Sequence, residues 1–95
     1  MQIGSIRHKP LRRFAETGSP KGLPAGSVDR LRRMFAYIDT IEAAEELRVP
    51  PNFGAHQLVG DRKGEWSLFV TKNWRMTFRV NPAGAVEDMN LEDYH

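Results

Sequence analysis

The sequence contains no cysteine, few histidines and no long apolar run, and each of these features excludes a class of protein or site. Without cysteine the chain forms neither a disulfide framework nor a thiolate zinc site, which favours a reducing, cytoplasmic location. No apolar segment approaches the roughly 20 residues of a membrane-spanning helix, and the N-terminus has no signal-peptide core. The three imidazoles, His8, His56 and His95, lack the spacing of metal ligands. The sequence therefore predicts a cytoplasmic protein that uses no membrane, metal or other cofactor.

The distribution of charge is more informative than its total. Ninety-five residues fit a single domain, residues 1–95, with a small core. The net charge of +2 hides large local differences. The net charge is +6 over residues 1–33, −3 over residues 34–53, +3 over residues 54–80 and −4 over residues 81–95. A positive surface of this kind can meet a polyanion, although solvated helix faces give the same pattern.

The first half of the chain has helical periodicity. Residues 8–17 predict a helix with Pro10 in its first turn, and Gly18 ends it. A loop rich in glycine and proline follows, and Ser27 is the expected N-cap of a second helix that breaks near residues 39–42. The apolar stripe of this second helix has helical spacing: Val28, Leu31, Met34, Phe35, Ile38 and Ile41.

After residue 52 the apolar period changes from helical to two, which predicts an antiparallel meander. The expected strands cover residues 56–59, 65–70, 74–80 and 85–91, with a further short strand at residues 2–7. Asn73 is expected to take a left-handed conformation in a hairpin turn. Two helices covering one face of such a sheet form an α+β domain.

The strand at residues 74–80 carries the first functional signal. Its apolar side chains share one face, which places Arg75, Thr77 and Arg79 on the other. Because two helices supply only one layer, we expect Arg75 and Arg79 on the uncovered face. Fixed arginines there suit a phosphate-binding platform, although solvated surface residues are the commoner interpretation.

Spacing alone reveals no phosphate loop, catalytic triad or catalytic pair of carboxylates. Metal-free RNA cleavage needs a base for the 2′-hydroxyl, a cation for the developing phosphorane charge and an acid for the leaving 5′-oxygen. Arg75 is a candidate for the charge, and the histidine and tyrosine side chains are candidates for proton transfer or base stacking.

Five segments, read together, resemble the HigB-type toxins of the RelE/ParE superfamily, the plasmid-maintenance killer proteins. They are His8-Lys9 with Leu11, Phe14-Ala15-Glu16-Thr17-Gly18, His56-x-Leu58-x-Gly60-Asp61-Arg62-x-Gly64-x-Trp66-Ser67, Asn73-Trp74-Arg75-x-Thr77-Phe78 and Glu92-Asp93-Tyr94-His95. The resemblance covers nearly the whole chain. It implies a RelE-like, microbial-RNase fold with the helices on one face of a curved sheet. It also implies a ribosome-dependent, metal-independent mRNA endonuclease of a type II toxin–antitoxin system.

The resemblance also implies which residues form the site. Arg75 corresponds to the family's transition-state arginine. The other catalytic correspondences are the C-terminal pair Tyr94 and His95, the preceding acid Asp93, and His56 of the family's His-Pro-Leu-Lys-Gly segment. Contacts to RNA phosphates are expected from four basic residues: Arg62, Lys63, Lys72 and Arg79.

One position departs from the family pattern. Val59 stands where many relatives have a catalytic lysine, and valine neither donates a proton nor balances phosphate charge. Arg62, Lys63 or Lys72 are possible substitutes, and we expect activity to be retained but altered. Two other functions stay open: a non-catalytic, ParE-like inhibitor of a protein such as DNA gyrase, and a module that only represses transcription with its antitoxin.

The resemblance finally implies partners. These are a HigA-type helix-turn-helix antitoxin, mRNA in the ribosomal A site with contacts to 16S ribosomal RNA, and operator DNA reached only through the antitoxin. An acidic, partly apolar antitoxin segment is expected to dock on the basic N-terminal half, around Arg32 and Arg33.

Overall fold

The computed structural model describes residues 1–93 and consists of two helices followed by a four-stranded antiparallel sheet. The helices are α1 (Lys9–Thr17) and α2 (Val28–Thr40), and the strands are β1 (His56–Gln57), β2 (Trp66–Thr71), β3 (Trp74–Val80) and β4 (Val86–Asp93). Single 3₁₀ turns lie at Ala44–Arg48, Pro51–Phe53 and Gly60–Arg62. The strand order β1-β2-β3-β4 is that of a simple meander, as predicted.

Helix α1 begins one residue later than predicted because His8 is its N-cap. The His8 Nδ1 accepts a hydrogen bond from the Leu11 backbone N–H at 3.1 Å. Pro10 occupies the first turn, where no backbone donor is needed. Gly18, with a φ of 79°, ends the helix in the left-handed conformation that glycine adopts readily.

Helix α2 starts and ends where the periodicity predicts, but its caps differ from expectation. Ser27 is the N-cap residue, yet its hydroxyl donates to the Pro24 carbonyl at 2.6 Å instead of capping the helix. Beyond the end of α2, the Glu46 carboxylate accepts from the Glu42 and Ala43 backbone N–H groups at 3.0 and 2.9 Å. The predicted break in the helix is therefore confirmed, although Glu46, and no residue of the segment 39–42, supplies the capping side chain.

Two of the expected strands are shorter than predicted. The segment at residues 2–7 makes only two isolated parallel bridges with β4, Ile3 with Val86 and Ile6 with Met89. Strand β1 contains only His56 and Gln57, because the chain leaves the sheet before the 3₁₀ turn at Gly60–Arg62.

A bulge in β4 replaces the regular alternation that the sequence predicts. Asp88 has a φ of 55° and is the one non-glycine residue within residues 1–93 with a positive φ, so the left-handed conformation expected at Asn73 is wrong. Thr77 pairs with Asn90 and Arg79 with Glu87, which leaves an extra residue on β4.

The core lies between the helices and one face of the sheet. The sheet contributes Trp66, Leu68, Val70, Met76, Phe78, Met89 and Leu91, and the helices contribute Leu11, Phe14, Leu31, Met34 and Ile38. The predicted α+β class, with two helices on one sheet face, is confirmed. Within residues 1–93 no helix is long and apolar enough to cross a membrane.

Candidate active site

A cleft of about 200 Å3 opens on the sheet face opposite the helices. Its lining comes from β2, β3, β4 and the segment before β2: Leu58, Arg62, Ser67, Arg75, Thr77, Glu92 and Asp93. The strand register explains the grouping, because Ser67 lies opposite Thr77, and Arg75 lies opposite Glu92. Directly opposite residues of antiparallel strands share a face, so four polar side chains meet here.

Arg75 lies on the uncovered face, as predicted, but it is half-buried. Its Nη1 donates to the backbone carbonyls of Thr71 at 3.0 Å and Trp74 at 3.2 Å. The guanidinium carbon stands 4.7 Å from the centre of the Phe69 ring, a cation–π distance. Arg75 is therefore a positioned cation at the wall of the cleft.

Arg62 crosses the rim of the cleft between two carboxylates. Its Nε and Nη2 donate to Glu65 at 3.0 Å each, and its Nη1 donates to Glu92 at 2.9 Å. Nη2 also donates to Glu92, and the Thr77 hydroxyl donates to the same carboxylate. Arg79 Nη2 lies 3.5 Å from Oε2 of Glu65, the oxygen that also accepts from Arg62 Nε.

These contacts set the ionisation of the network. The hydrogen bonds from Arg62 hold the pKa of Glu65 below its ordinary value. The same guanidinium, with help from the Thr77 hydroxyl, lowers the pKa of Glu92. Both carboxylates in turn raise the pKa of Arg62. At neutral pH Arg62 is therefore a cation, and Glu65 and Glu92 are anions.

His56 stands on the edge strand β1, opposite Ser67 and on the same sheet face as the cleft. The side chain is exposed, and its Nδ1 lies 3.0 Å from the Gly54 carbonyl oxygen. Asp93 lines the cleft at the end of β4. Tyr94 and His95 follow directly in the sequence and lie outside the described residues.

A larger groove of about 560 Å3 lies on the helical side, between the N-terminal segment, α1 and α2. Its charged lining residues are Arg12, Glu16 and Asp39, and its remaining lining is mainly apolar. It contains none of the residues expected to act on RNA. The smaller cleft on the sheet is therefore the candidate site.

Comparison with known proteins agrees with the resemblance seen in the sequence. A family model described as the RelE-like toxin of the type II toxin–antitoxin system HigB matches residues 4–95. The chain belongs to the HigB-like toxin family. The HigB-like chain is 42% identical over 94 residues to the Endoribonuclease HigB of Proteus vulgaris, covering 98% of this chain and 99% of that protein.

A solved structure supports the fold of this HigB-like toxin. The YoeB/ParE toxin from Agrobacterium tumefaciens superposes with a TM-score of 0.54 at 17% identity, covering 97% of this chain and 99% of that one. At that identity the match concerns the fold alone. The predicted RelE-like architecture is confirmed.

The other three basic residues that are expected to bind RNA phosphates in this HigB-like toxin are not part of the cleft lining. Lys63 directly follows Arg62, Lys72 lies in the turn between β2 and β3, and both are exposed. Arg79 is half exposed beside Glu65. Val59 is 86% exposed, while its neighbour Leu58 lines the cleft.

The sequence does not predict four residues of the cleft lining, Leu58, Ser67, Thr77 and Glu92, nor the Phe69 ring beside Arg75. Its alternation places Thr77 on the correct face, and Glu92 stands out only as part of the acidic C-terminal segment. Their pairing follows from a strand register that the bulge shifts, so period two alone does not predict it. Within residues 1–93 no three His, Asp or Glu side chains form a group that could hold a metal ion.

Proposed function

We propose that this endoribonuclease toxin cuts mRNA in the ribosomal A site without a metal ion, at the cleft beside Arg75. The observation that carries the proposal is a positioned arginine in the same cleft as Asp93, the residue that leads directly into Tyr94-His95. The high identity to a relative named an endoribonuclease supports the activity.

In the proposed reaction the RNA supplies its own nucleophile. The 2′-oxygen attacks the adjacent phosphorus and loses its proton to a base, the bond to the 5′-oxygen breaks, and an acid protonates that oxygen. The products are a 2′,3′-cyclic phosphate and a 5′-hydroxyl. Arg75 stabilises the charge that develops on the phosphorane, as a preorganised cation does in a partly dehydrated cleft.

The proton transfers are assigned to four residues as a group. These are His56, on the same sheet face as the cleft, Asp93 in its lining, and the following Tyr94 and His95. Histidine suits both directions of transfer because its ordinary pKa lies near neutral pH.

With valine at position 59, we expect this toxin to cleave RNA more slowly than relatives that have a lysine there. Because its side chain is exposed, a lysine at this position has room to extend. Arg62, Lys63, Lys72 and Arg79 supply the other contacts to RNA phosphates, including those of the 16S ribosomal RNA.

A toxin of a type II system has an antitoxin partner. We assign this role to a HigA-type helix-turn-helix protein that docks on the helical layer and carries the complex to operator DNA. The toxin itself is assigned to the bacterial cytoplasm, where its ribosomal substrate is found.

The test is cleavage of a defined message during in vitro translation, with the 5′ ends mapped. Wild-type protein is expected to cut within codons in the A site, and only when ribosomes are present. Arg75→Ala is expected to lose about 100-fold or more in rate, while Val59→Lys is expected to gain about tenfold. Uncut message with folded wild-type protein would rule out the proposal.

The same proteins also test the non-catalytic alternative. Inhibition of DNA gyrase in a supercoiling assay, together with intact message, would identify a ParE-like inhibitor. Growth arrest without antitoxin would exclude a role limited to transcriptional repression.

A further inference from the structure

The network around Arg62 has a consequence for RNA binding. All three guanidinium nitrogens of Arg62 already donate to carboxylates. An RNA phosphate offers the same kind of acceptor as a carboxylate and binds arginine in the same two-pronged geometry. A phosphate that reaches Arg62 must therefore displace one of its two glutamates.

The two glutamates do not stand in equivalent places. Glu92 lines the cleft together with Arg62, Arg75 and Thr77, whereas Glu65 is not part of that lining among the described residues. Glu65 also has a second cation beside it, because Arg79 lies 3.5 Å away. Displacement of Glu65 would leave two arginines without their shared carboxylate, so Glu92 is the glutamate that a phosphate in the cleft displaces.

We propose that Glu92 competes with an RNA phosphate for Arg62 and thereby lowers the affinity of the cleft for RNA. This inference rests on the proposed function, since it takes RNA as the ligand of the cleft. Thr77 strengthens the competitor, because its hydroxyl donates to the same carboxylate. In the protein without RNA, Arg62 is therefore paired with Glu92 at the rim of the cleft. Arg62 binds a phosphate with both prongs of its guanidinium only after Glu92 is displaced.

The test is the affinity for a short, fluorescently labelled single-stranded RNA made of 2′-O-methyl nucleotides, which lack the attacking hydroxyl. Glu92→Gln is expected to bind about tenfold more tightly than wild type, as one charge-assisted contact is gained. The slope of log affinity against log salt is expected to steepen by about 0.7, the change for one more phosphate contact on a single strand.

Two variants separate competition from a general change in charge. Glu42→Gln makes the same charge change beyond the end of α2, outside the lining of the cleft, and is expected to leave the affinity near that of wild type. In an Arg62→Gln background, Glu92→Gln is expected to give no gain, because the cation for which it competes is gone.

The folded state of each variant is checked by circular dichroism and thermal unfolding. Glu92→Asp is the second variant should Glu92→Gln fail to fold: it keeps the charge, withdraws the carboxylate from Arg62 by one methylene and is expected to give an intermediate gain.

Three results would overturn the proposed competition but not the proposed function, provided that wild-type protein still cuts message. The first is no gain in RNA affinity in the folded Glu92 variants. The others are a gain in affinity equal to that of Glu42→Gln and a gain that persists when Arg62 is replaced. Failure of every protein to bind RNA would also overturn this inference, whereas the proposed function is overturned only by uncut message in the translation assay.

Discussion

At the scale of single residues, the aromatic ring beneath Arg75 is the feature that sets the position of the proposed transition-state cation. Phe69 lies opposite Arg75 in the register, and its ring is 4.7 Å from the guanidinium carbon. The two backbone carbonyls that accept from Nη1 fix one end of the guanidinium, and the ring supports its flat face. Phe69 is therefore a positioning residue that acts through Arg75.

Phe69→Leu is expected to lower kcat for RNA cleavage about tenfold with little change in KM, because misplaced catalytic groups cost rate more than binding. Leucine keeps most of the apolar volume, so the free energy of unfolding is expected to change by only about 1 kcal/mol. Phe69→Tyr retains the ring and is the matched control. A normal rate in Phe69→Leu, or equal losses in both variants, would show that the ring does not position Arg75.

The same scale shows where sequence reasoning reaches its limit. The sequence predicts the correct face for Arg75 because alternation in a regular strand needs no tertiary information. The bonds between Arg62 and Glu92 join residues 30 positions apart, and they depend on the path of the turn at Gly60–Arg62. No local pattern encodes such a contact.

At the scale of elements, the N-terminus of α1 depends on a neutral imidazole. His8 accepts from the Leu11 N–H through Nδ1, which requires an unprotonated nitrogen. Partial burial lowers the pKa of His8 from its ordinary value of 6.5. The cap therefore contributes its full stability above pH 6.5 and loses it as the pH falls through the lower pKa of the folded state.

His8→Asn is expected to cap the helix at every pH, since the amide oxygen accepts the same bond. Wild-type protein is expected to lose more unfolding free energy between pH 8 and pH 5 than His8→Asn, as measured by urea unfolding. His8→Ala is expected to cost about 1 kcal/mol at pH 8. Parallel pH profiles for wild type and His8→Asn would show that His8 does not cap α1 in solution.

Elements were predictable where one period governs a whole segment. Helix α2 and strand β3 have the bounds that their periodicities indicate, because each buries one continuous apolar face. Strand β4 departs from this rule: Val86, Met89 and Leu91 are all buried although the first two are three residues apart. The bulge at Asp88 brings Val86 and Met89 to the same buried face of the sheet. The pairing with the neighbouring strand β3 sets the backbone geometry of such a bulge.

At the scale of the whole molecule, four arginines of the basic N-terminal half lie outside the lining of the cleft, although Arg30 of the same half contacts the Phe69 ring beside Arg75. The N-terminal half places Arg12, Arg13, Arg32 and Arg33 as exposed residues on the helical layer. The positive segment of residues 54–80 supplies Arg62 and Arg75 to the cleft on the uncovered face. We expect charge to steer the antitoxin to these helical residues while the cleft remains open to RNA.

Charge reversal on the helical layer tests this separation. Arg32 and Arg33 are exposed on α2, where Arg32 forms an exposed ion pair with Asp29 at 3.4 Å and a ring contact with Phe14. Replacing both by Glu is expected to slow association with the antitoxin about tenfold at low salt and to weaken the salt dependence of the rate, because charge steers encounter. The double Gln variant is expected to give an intermediate rate.

The RNA affinity of the charge-reversed protein is the internal control, because the cleft lies on the sheet face opposite the helix that carries the substituted residues. It is expected to stay within about twofold of wild type, because neither residue lines the cleft and interactions between exposed charges are screened at physiological salt. Association rates by stopped flow and RNA affinities by fluorescence anisotropy measure the two surfaces independently. An unchanged association rate would place the antitoxin elsewhere, and a parallel loss of RNA affinity would show that the two surfaces act as one.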